Sequence, residues 1–246
     1  MASIWPPSMR DRVPGPELMD AIDTIGGDEL RETLRELRVI NRCLGGYATS
    51  TRALDDLARR VGLEHGRRLS VLDVGGGSGD AVPTILDWGR QRGFEVHVTV
   101  ADVHPETVAE ATRQLRDLPD ATATRADLFA IEARSYDVVH AALFLHHFDG
   151  DDAARALTAM GRIARVGVVV NDLHRHPVPW LLIRLITGAV SRNRLIRADA
   201  PLSVARAFTA SDWRRLAGET ALDLRWRRVW AWRWAVSGLA TAKDTA

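Results

Sequence analysis

Four glycines fall within five positions, Gly75-Gly76-Gly77-Ser78-Gly79, between an apolar run from Ser70 to Val74 and a segment where Val82, Ile85, Leu86 and Gly89 recur at helical spacing. A buried strand that turns sharply into an amphipathic helix opens a parallel crossover, because parallel strands need a helix-length return between them. The unit repeats. Val96, Val98 and Val100 alternate as a second strand, Gly93 having closed the first helix, and Pro105 opens a helix whose Val108, Ala111 and Leu115 face inward. Ala121 to Arg125, Tyr136 to Phe144 and Gly167 to Val170 supply three more strands, with a helix from Ala153 to Ile163 before the last. This alternation predicts an α/β fold with a mostly parallel sheet covered on both faces.

The flanks of the alternating region read differently. Leu30, Leu34, Leu37 and Ile40 mark a helix with Asp28 as its expected cap, Gly45-Gly46 breaks it, and Leu54, Leu57 and Val61 mark a second. Residues 1–66 are thus a helical prefix placed to cover a site, and residues 67–246 are the core. After the fifth strand, residues 173–208 mix prolines, apolar residues and arginines as no simple connection requires, and are expected to be an inserted cover. Thr209-Ala-Ser-Asp212 has capping-box spacing ahead of a helix through Trp213, Leu216 and Ala217. Leu222 to Leu239 reads as two strands joined near Trp230-Ala231, an antiparallel pair that finishes the sheet.

Bulk properties exclude more than they assign. A chain of 246 residues with 26% charged residues and a net charge of +1 fits one α/β unit with elaborations and points to no charged partner. Cys43 is the only cysteine, which rules out an internal disulfide and suits a reducing compartment. The start carries Pro6, Pro7 and Pro14 without a continuous apolar stretch, and Val178 to Val190 is too short to span a bilayer, which takes roughly 20 residues. The expected location is the cytoplasm, without a membrane span. Arg225-Trp-Arg-Arg-Val-Trp-Ala-Trp-Arg-Trp234 mixes basic and aromatic residues, but its alternation fits a half-buried strand pair better than a nucleic-acid surface. His146, His147, His174 and His176 lack the carboxylate–histidine spacing of a metal motif, so no metal is expected.

The chemistry lies at the strand ends. The glycine turn lets a ligand approach the backbone, but a dinucleotide turn needs a small residue where Asp80 stands. The spacing of Gly75, Gly77 and Gly79 after Asp73 resembles the first motif of class I S-adenosylmethionine-dependent methyltransferases. Asp102, followed by Val103, ends the second strand, where a carboxylate can accept bonds from both ribose hydroxyls or stabilise a helix start. Arg125-Ala-Asp127-Leu128 is similar to the family segment whose acid takes the adenine amino group and whose apolar residue lies against the ring. Ala141-Ala-Leu143-Phe-Leu-His146-His147-Phe148 is similar to the stretch where cofactor and acceptor meet. The resemblance implies a Rossmann-like seven-stranded methyltransferase fold with a reversed last strand, and S-adenosylmethionine as cofactor. Asp73, Gly75, Gly77, Gly79, Asp102, Val103, Asp127, Leu128 and Leu143 would be its contacts.

Asn41-Arg-Cys-Leu-Gly-Gly46, Val170-Asn-Asp-Leu173 and Pro201-Leu-Ser-Val204 also resemble segments of small bacterial methyltransferases associated with type III polyketide synthases, which implies a phenolic or polyketide acceptor, methylated on oxygen. His147, then His146, is the expected base, a structural role being the alternative for each. Asp172, His174 and Trp180 are expected acceptor contacts. Trp180, Leu181, Leu182, Leu185 and Ile186 form an apolar surface suited either to a cover or to a homodimer contact. Two other functions remain open: a cofactor-binding partner subunit without catalysis, and a nucleotide-dependent oxidoreductase.

Overall fold

The computed structural model describes residues 6–240. Seven strands form one sheet: β1 (Arg68–Val74), β2 (Glu95–Asp102), β3 (Ala121–Arg125), β4 (Tyr136–Ala142), β5 (Ala164–Leu173), β6 (Leu222–Val229) and β7 (Arg233–Ala240), in the order β3-β2-β1-β4-β5-β7-β6. β1 to β5 are parallel, and β7 lies antiparallel between β5 and β6. This is the seven-stranded arrangement with a reversed last strand that the sequence implied. Strand order reverses between β1 and β4, so their carboxyl ends diverge and leave the crevice in which open α/β sheets bind ligands.

Eight α-helices cover the sheet: α1 (Gly27–Cys43), α2 (Gly46–Val61), α3 (Val82–Arg92), α4 (Pro105–Leu115), α5 (Asp152–Ile163), α6 (Pro177–Val190), α7 (Arg194–Arg206) and α8 (Ala210–Glu219). One apolar layer joins Leu54 and Leu57 of α2 with Ile85 of α3 and Val71, Val98 and Val169 of the sheet. The opposite layer joins Leu157 and Met160 of α5 with Trp213 of α8 and Val139 and Val168. The core therefore runs continuously across residue 66, with α2 as part of the main layer.

Several local expectations shift. Gly26, not Asp28, occupies the N-cap of α1, and Asp28 sits inside the first turn, where its charge still favours the helix dipole. Thr107 is fully buried on α4 and Val108 only half-buried. β5 extends well beyond Gly167 to Val170 because β7 pairs with it from Gly167 to Leu173. The insertion is two helices, α6 and α7, with Pro201 inside the second. The capping box of α8 is present, Thr209 Oγ1 accepting from the Asp212 amide at 3.3 Å and Asp212 Oδ2 accepting from the Thr209 amide at 2.6 Å.

Close packing of β5 under α2 and beside β7 rests on Gly167, where a Cβ would lie 2.4 Å from Gly238 O and 2.7 Å from Leu57 Cδ1. Backbone cannot yield to such a contact without distortion. Gly167→Ala is expected to destabilise the fold by about 1–3 kcal/mol, read from the midpoint of a denaturant titration. An unchanged midpoint would show that this contact does not limit the packing.

Candidate active site

A cavity of about 810 Å³ opens at the carboxyl edge of the parallel strands, between the glycine turn, the ends of β2 to β4, and helices α1, α6 and α7. Its floor begins at the turn after β1. Gly75 and Gly77 hold φ values of +58° and +57°, a left-handed backbone that suits glycine, and a Cβ on Gly75 would collide with the Phe144 ring at 2.2 Å. The Gly75 amide donates to Ala101 O at 2.8 Å, which joins the turn to β2. Asp73 Oδ1 lies 2.7 Å from His140 Nδ1, while Asp73 Oδ2 is buried without a partner.

Asp73, Gly75, Gly77, Asp102, Val103, Asp127, Leu128 and Leu143 all line this cavity, from residues spread over some seventy positions of sequence. Gly79 does not: its φ of +77° closes the turn, and it packs against Leu115. Burial raises the Asp102 carboxyl above its usual range, against the backbone amide of His104 that bonds it at 3.0 Å. Asp127 Oδ1 accepts from the Phe129 amide at 3.0 Å. Leu143 leaves β4 with φ +53°, a strained value for leucine, and its amide donates to Asn171 O at 2.8 Å. Asp80, on the rim, pairs with Arg38 of α1 at 2.5 Å, so a prefix helix clamps the turn.

The opposite end gathers charge. His147 Nδ1 lies 2.8 Å from Asp20 Oδ1. A carboxylate only accepts, so Nδ1 carries the hydrogen and Nε2 is left as an acceptor on a residue that lines the cavity. His146 stacks on His147 with ring centroids 4.5 Å apart. Its Nδ1 lies 2.7 Å from Asp172 Oδ1 and its Nε2 3.5 Å from Glu17 Oε1. Burial alone would lower the His146 pKa, but the two carboxylates outweigh it and raise it to about 10. Carbonyls of the pair are clamped from behind: Arg206 donates to His146 O at 3.1 Å and to His147 O at 2.6 Å, and Arg12 to His146 O at 2.9 Å.

Three of the expected site residues sit otherwise in this geometry. His146 is protonated on both nitrogens at neutral pH and has no lone pair for a proton, so it does not fit the role of base. Glu17, His146 and His147 bring their ligand atoms within 4.8 Å of one another, a grouping that histidine spacing in the sequence did not show. Asp172 is fully buried behind His146 and does not line the cavity. Trp180 packs inward with Val204 and Ala205 beneath Arg184, while Pro179, Leu182, Ile183 and Ile186 present the face of α6 that borders the cavity. His174 does line it; burial and His176 lower its pKa to about 4, so it is neutral. The sequence reading missed Glu17, Asp20, Tyr47, Phe129, Phe144 and Arg233. Phe129 stands beside a recognised motif and Phe144 within one, while Arg233 falls in the basic and aromatic stretch read there as a strand pair.

Comparison with family models matches residues 71–167 to a methyltransferase domain. Residues 71–167 thus form a methyltransferase domain, whose methyl donor is S-adenosylmethionine. Comparison with curated proteins finds no match. Among solved structures, human N-acetylserotonin methyltransferase, in complex with S-adenosylmethionine, aligns at 18% identity and a TM-score of 0.65, over 94% of this chain and 61% of that one. The O-methyltransferase family 2 protein of Planctomyces limnophilus, in complex with apigenin, aligns at 14% identity and 0.61, over 89% and 63%. The CurJ carbon methyltransferase aligns at 16% identity and 0.54, over 73% and 50%. The chain thus spans half to three fifths of the length of these proteins, and they share its fold. The methyltransferase match also sets aside the oxidoreductase alternative.

Residues of the methyltransferase cavity fit S-adenosylmethionine. The unpartnered Asp73 Oδ2 stands beside Gly76, where a Cβ would come within 2.6 Å of it. An ammonium group is what such an oxygen lacks.

The His146 pair sets a pH dependence. A histidine raised from 6.5 to about 10 on folding contributes stability in full below pH 6.5, and loses it as pH rises towards 10. Unfolding free energy is therefore expected to fall between pH 7 and 10, and to fall less in His146→Gln. Equal slopes in the two proteins would show that the imidazolium is not held by Asp172 and Glu17.

Proposed function

We propose that this methyltransferase transfers a methyl group to a hydroxyl of a small, largely apolar acceptor of phenolic or polyketide type. The observation that carries the reading is the Asp20–His147 pair at the end of a cavity whose wall there includes Leu37, Ile40, Leu182, Ile186, Leu195 and Ile196. S-adenosylmethionine supplies an electrophilic methyl on its sulfonium. When it is bound, Asp102 would accept from the ribose hydroxyls and Asp127 from the adenine amino group, and Val103, Leu128 and Leu143 would enclose the rings. His147 Nε2 takes the acceptor's hydroxyl proton while Asp20 holds the tautomer and stabilises the imidazolium. The apolar wall keeps the resulting oxygen nucleophile from water. Holding both reactants in near-attack geometry contributes on the order of 7–11 kcal/mol, whereas a placed base adds about 10²–10⁴-fold, so positioning dominates.

α6 divides its faces between two tasks. Leu182, Ile183 and Ile186 cover the acceptor, while Val178, Leu181, Leu185 and Val190 are exposed on the outside and suit contact with a second copy.

His147→Ala is expected to lower kcat about 10²-fold or more at unchanged affinity for S-adenosylhomocysteine, with a smaller loss for phenols of lower pKa. A loss independent of acceptor pKa would assign His147 to positioning instead. Cofactor binding without product on any phenol would favour the partner-subunit alternative. Leu182→Ala with Ile186→Ala should raise acceptor KM and leave cofactor affinity intact, whereas Leu181→Ser with Leu185→Ser should change only sedimentation; unaltered kinetics in the first pair would remove the cover.

A further inference from the structure

Arg233 is the one arginine or lysine in the cavity wall among the described residues, against seven carboxylates, Glu17, Asp20, Asp73, Asp80, Asp102, Asp127 and Asp199. It is 1% exposed, and it forms no ion pair with a described carboxylate. Asn41 Oδ1 at 2.8 Å and Asn171 Oδ1 at 3.4 Å hold its terminal nitrogens, and its Nε has no partner. Burial lowers its pKa only to about 10, so the charge remains. A buried guanidinium without a counter-ion is costly, and the nearest candidate, Asp172, is already bonded to His146. A charged guanidinium in a cavity wall is a partner for an anionic group.

Two further groups converge on Arg233. α2 starts at Gly46 with no side-chain cap, so the amides of its first turn make a positive end, and a Cβ on Gly46 would lie 3.4 Å from Arg233 Cζ. Tyr47, the next residue, lines the cavity with a buried hydroxyl that has no partner. Burial and Asp80 push its pKa up to about 12, so it stays a donor. Asp80 itself is paired with Arg38.

The anion's source follows from what stands next to this pocket. Ser50, four residues along α2 and so about 6 Å from Gly46, lies 2.8 Å from His140 Nε2, and His140 holds Asp73. Ser50 bonds Asn171 at 3.0 Å and Asn171 faces Arg233, so the unpartnered carboxylate oxygen of Asp73 and the guanidinium of Arg233, whose Nε is unpartnered, are two ends of one bonded row. An α-amino acid carries the complementary pair of charges. We infer that the first turn of α2, Tyr47 and Arg233 form the carboxylate subsite for the amino-acid head of S-adenosylmethionine, with Asp73 beside the ammonium. The inference depends on the cofactor and not on the acceptor.

Calorimetry with S-adenosylhomocysteine and its decarboxylated analogue S-adenosyl-3-thiopropylamine, which keeps the amine, isolates the carboxylate. Wild-type protein should bind the first about tenfold or more tighter, the range of a charged hydrogen bond. Arg233→Met should erase that preference and leave the analogue within about twofold of its wild-type affinity, which also shows that the variant is folded. Tyr47→Phe, a milder change should Arg233→Met not fold, should shrink the preference several-fold. Equal loss for both ligands, or a preference that survives both substitutions, would overturn the assignment.

Discussion

Asp73, His140, Ser50 and Asn171 are joined in a buried row of hydrogen bonds that crosses from β1 through β4 to α2 and β5, at 2.7, 2.8 and 3.0 Å. Each member is at most 2% exposed. Leaving any one unpaired would cost about 1–3 kcal/mol, so the row holds its parts in one register. Asn171 extends it in three directions: its amide reaches Gly46 O at 2.7 Å, its carbonyl accepts from Leu143, and its side-chain oxygen faces Arg233. The glycine turn, the strained exit of β4, the start of α2 and the buried guanidinium are therefore placed relative to one another by one polar network.

Electrostatics divides the cavity. Near the glycine turn the polar groups include a carboxylate oxygen and a guanidinium nitrogen without partners, which suits a zwitterionic, sugar-bearing ligand. At the far end every carboxylate already has a hydrogen-bond partner within the protein. Asp172 and Glu17 enclose the His146 imidazolium, Asp20 holds His147, and Asp199 accepts the amides of Leu18 and Met19 at 2.9 Å. Because those acids are bonded within the wall, the surface left to a ligand there is mainly apolar, with His147 at its edge.

That far end is built by chain segments with little in common locally. Residues before α1 cross to the insertion, where Arg12 donates to Arg206 O at 2.6 Å and Glu17 accepts from Ser203 at 2.7 Å. The leading segment and the α6–α7 pair thus close over the histidines as one assembly. Variation there can change the acceptor while the sheet and the glycine turn remain as they are, which is how one fold serves many acceptors.

Sequence by itself determined the sheet, its connections and most of the residues that line the cavity near the glycine turn, because hydrophobic period, glycine spacing and strand-end carboxylates are local signals. β1, β2 and the hairpin β6–β7 lie where alternation placed them, and Asp73, Asp102 and Asp127 line one cavity. Tertiary structure alone decided the rest. Asp20 and His147 are 127 residues apart, and Asn41 and Arg233 are 192 apart, and no periodicity links positions so distant. It also decided between neighbours: His146 turns into the protein between two acids while His147 faces the cavity, and Trp180 turns inward while Leu182 lines the wall. Adjacent residues on one short segment share their local pattern, and only the groups that pack against them select which side chain is buried and which meets the ligand.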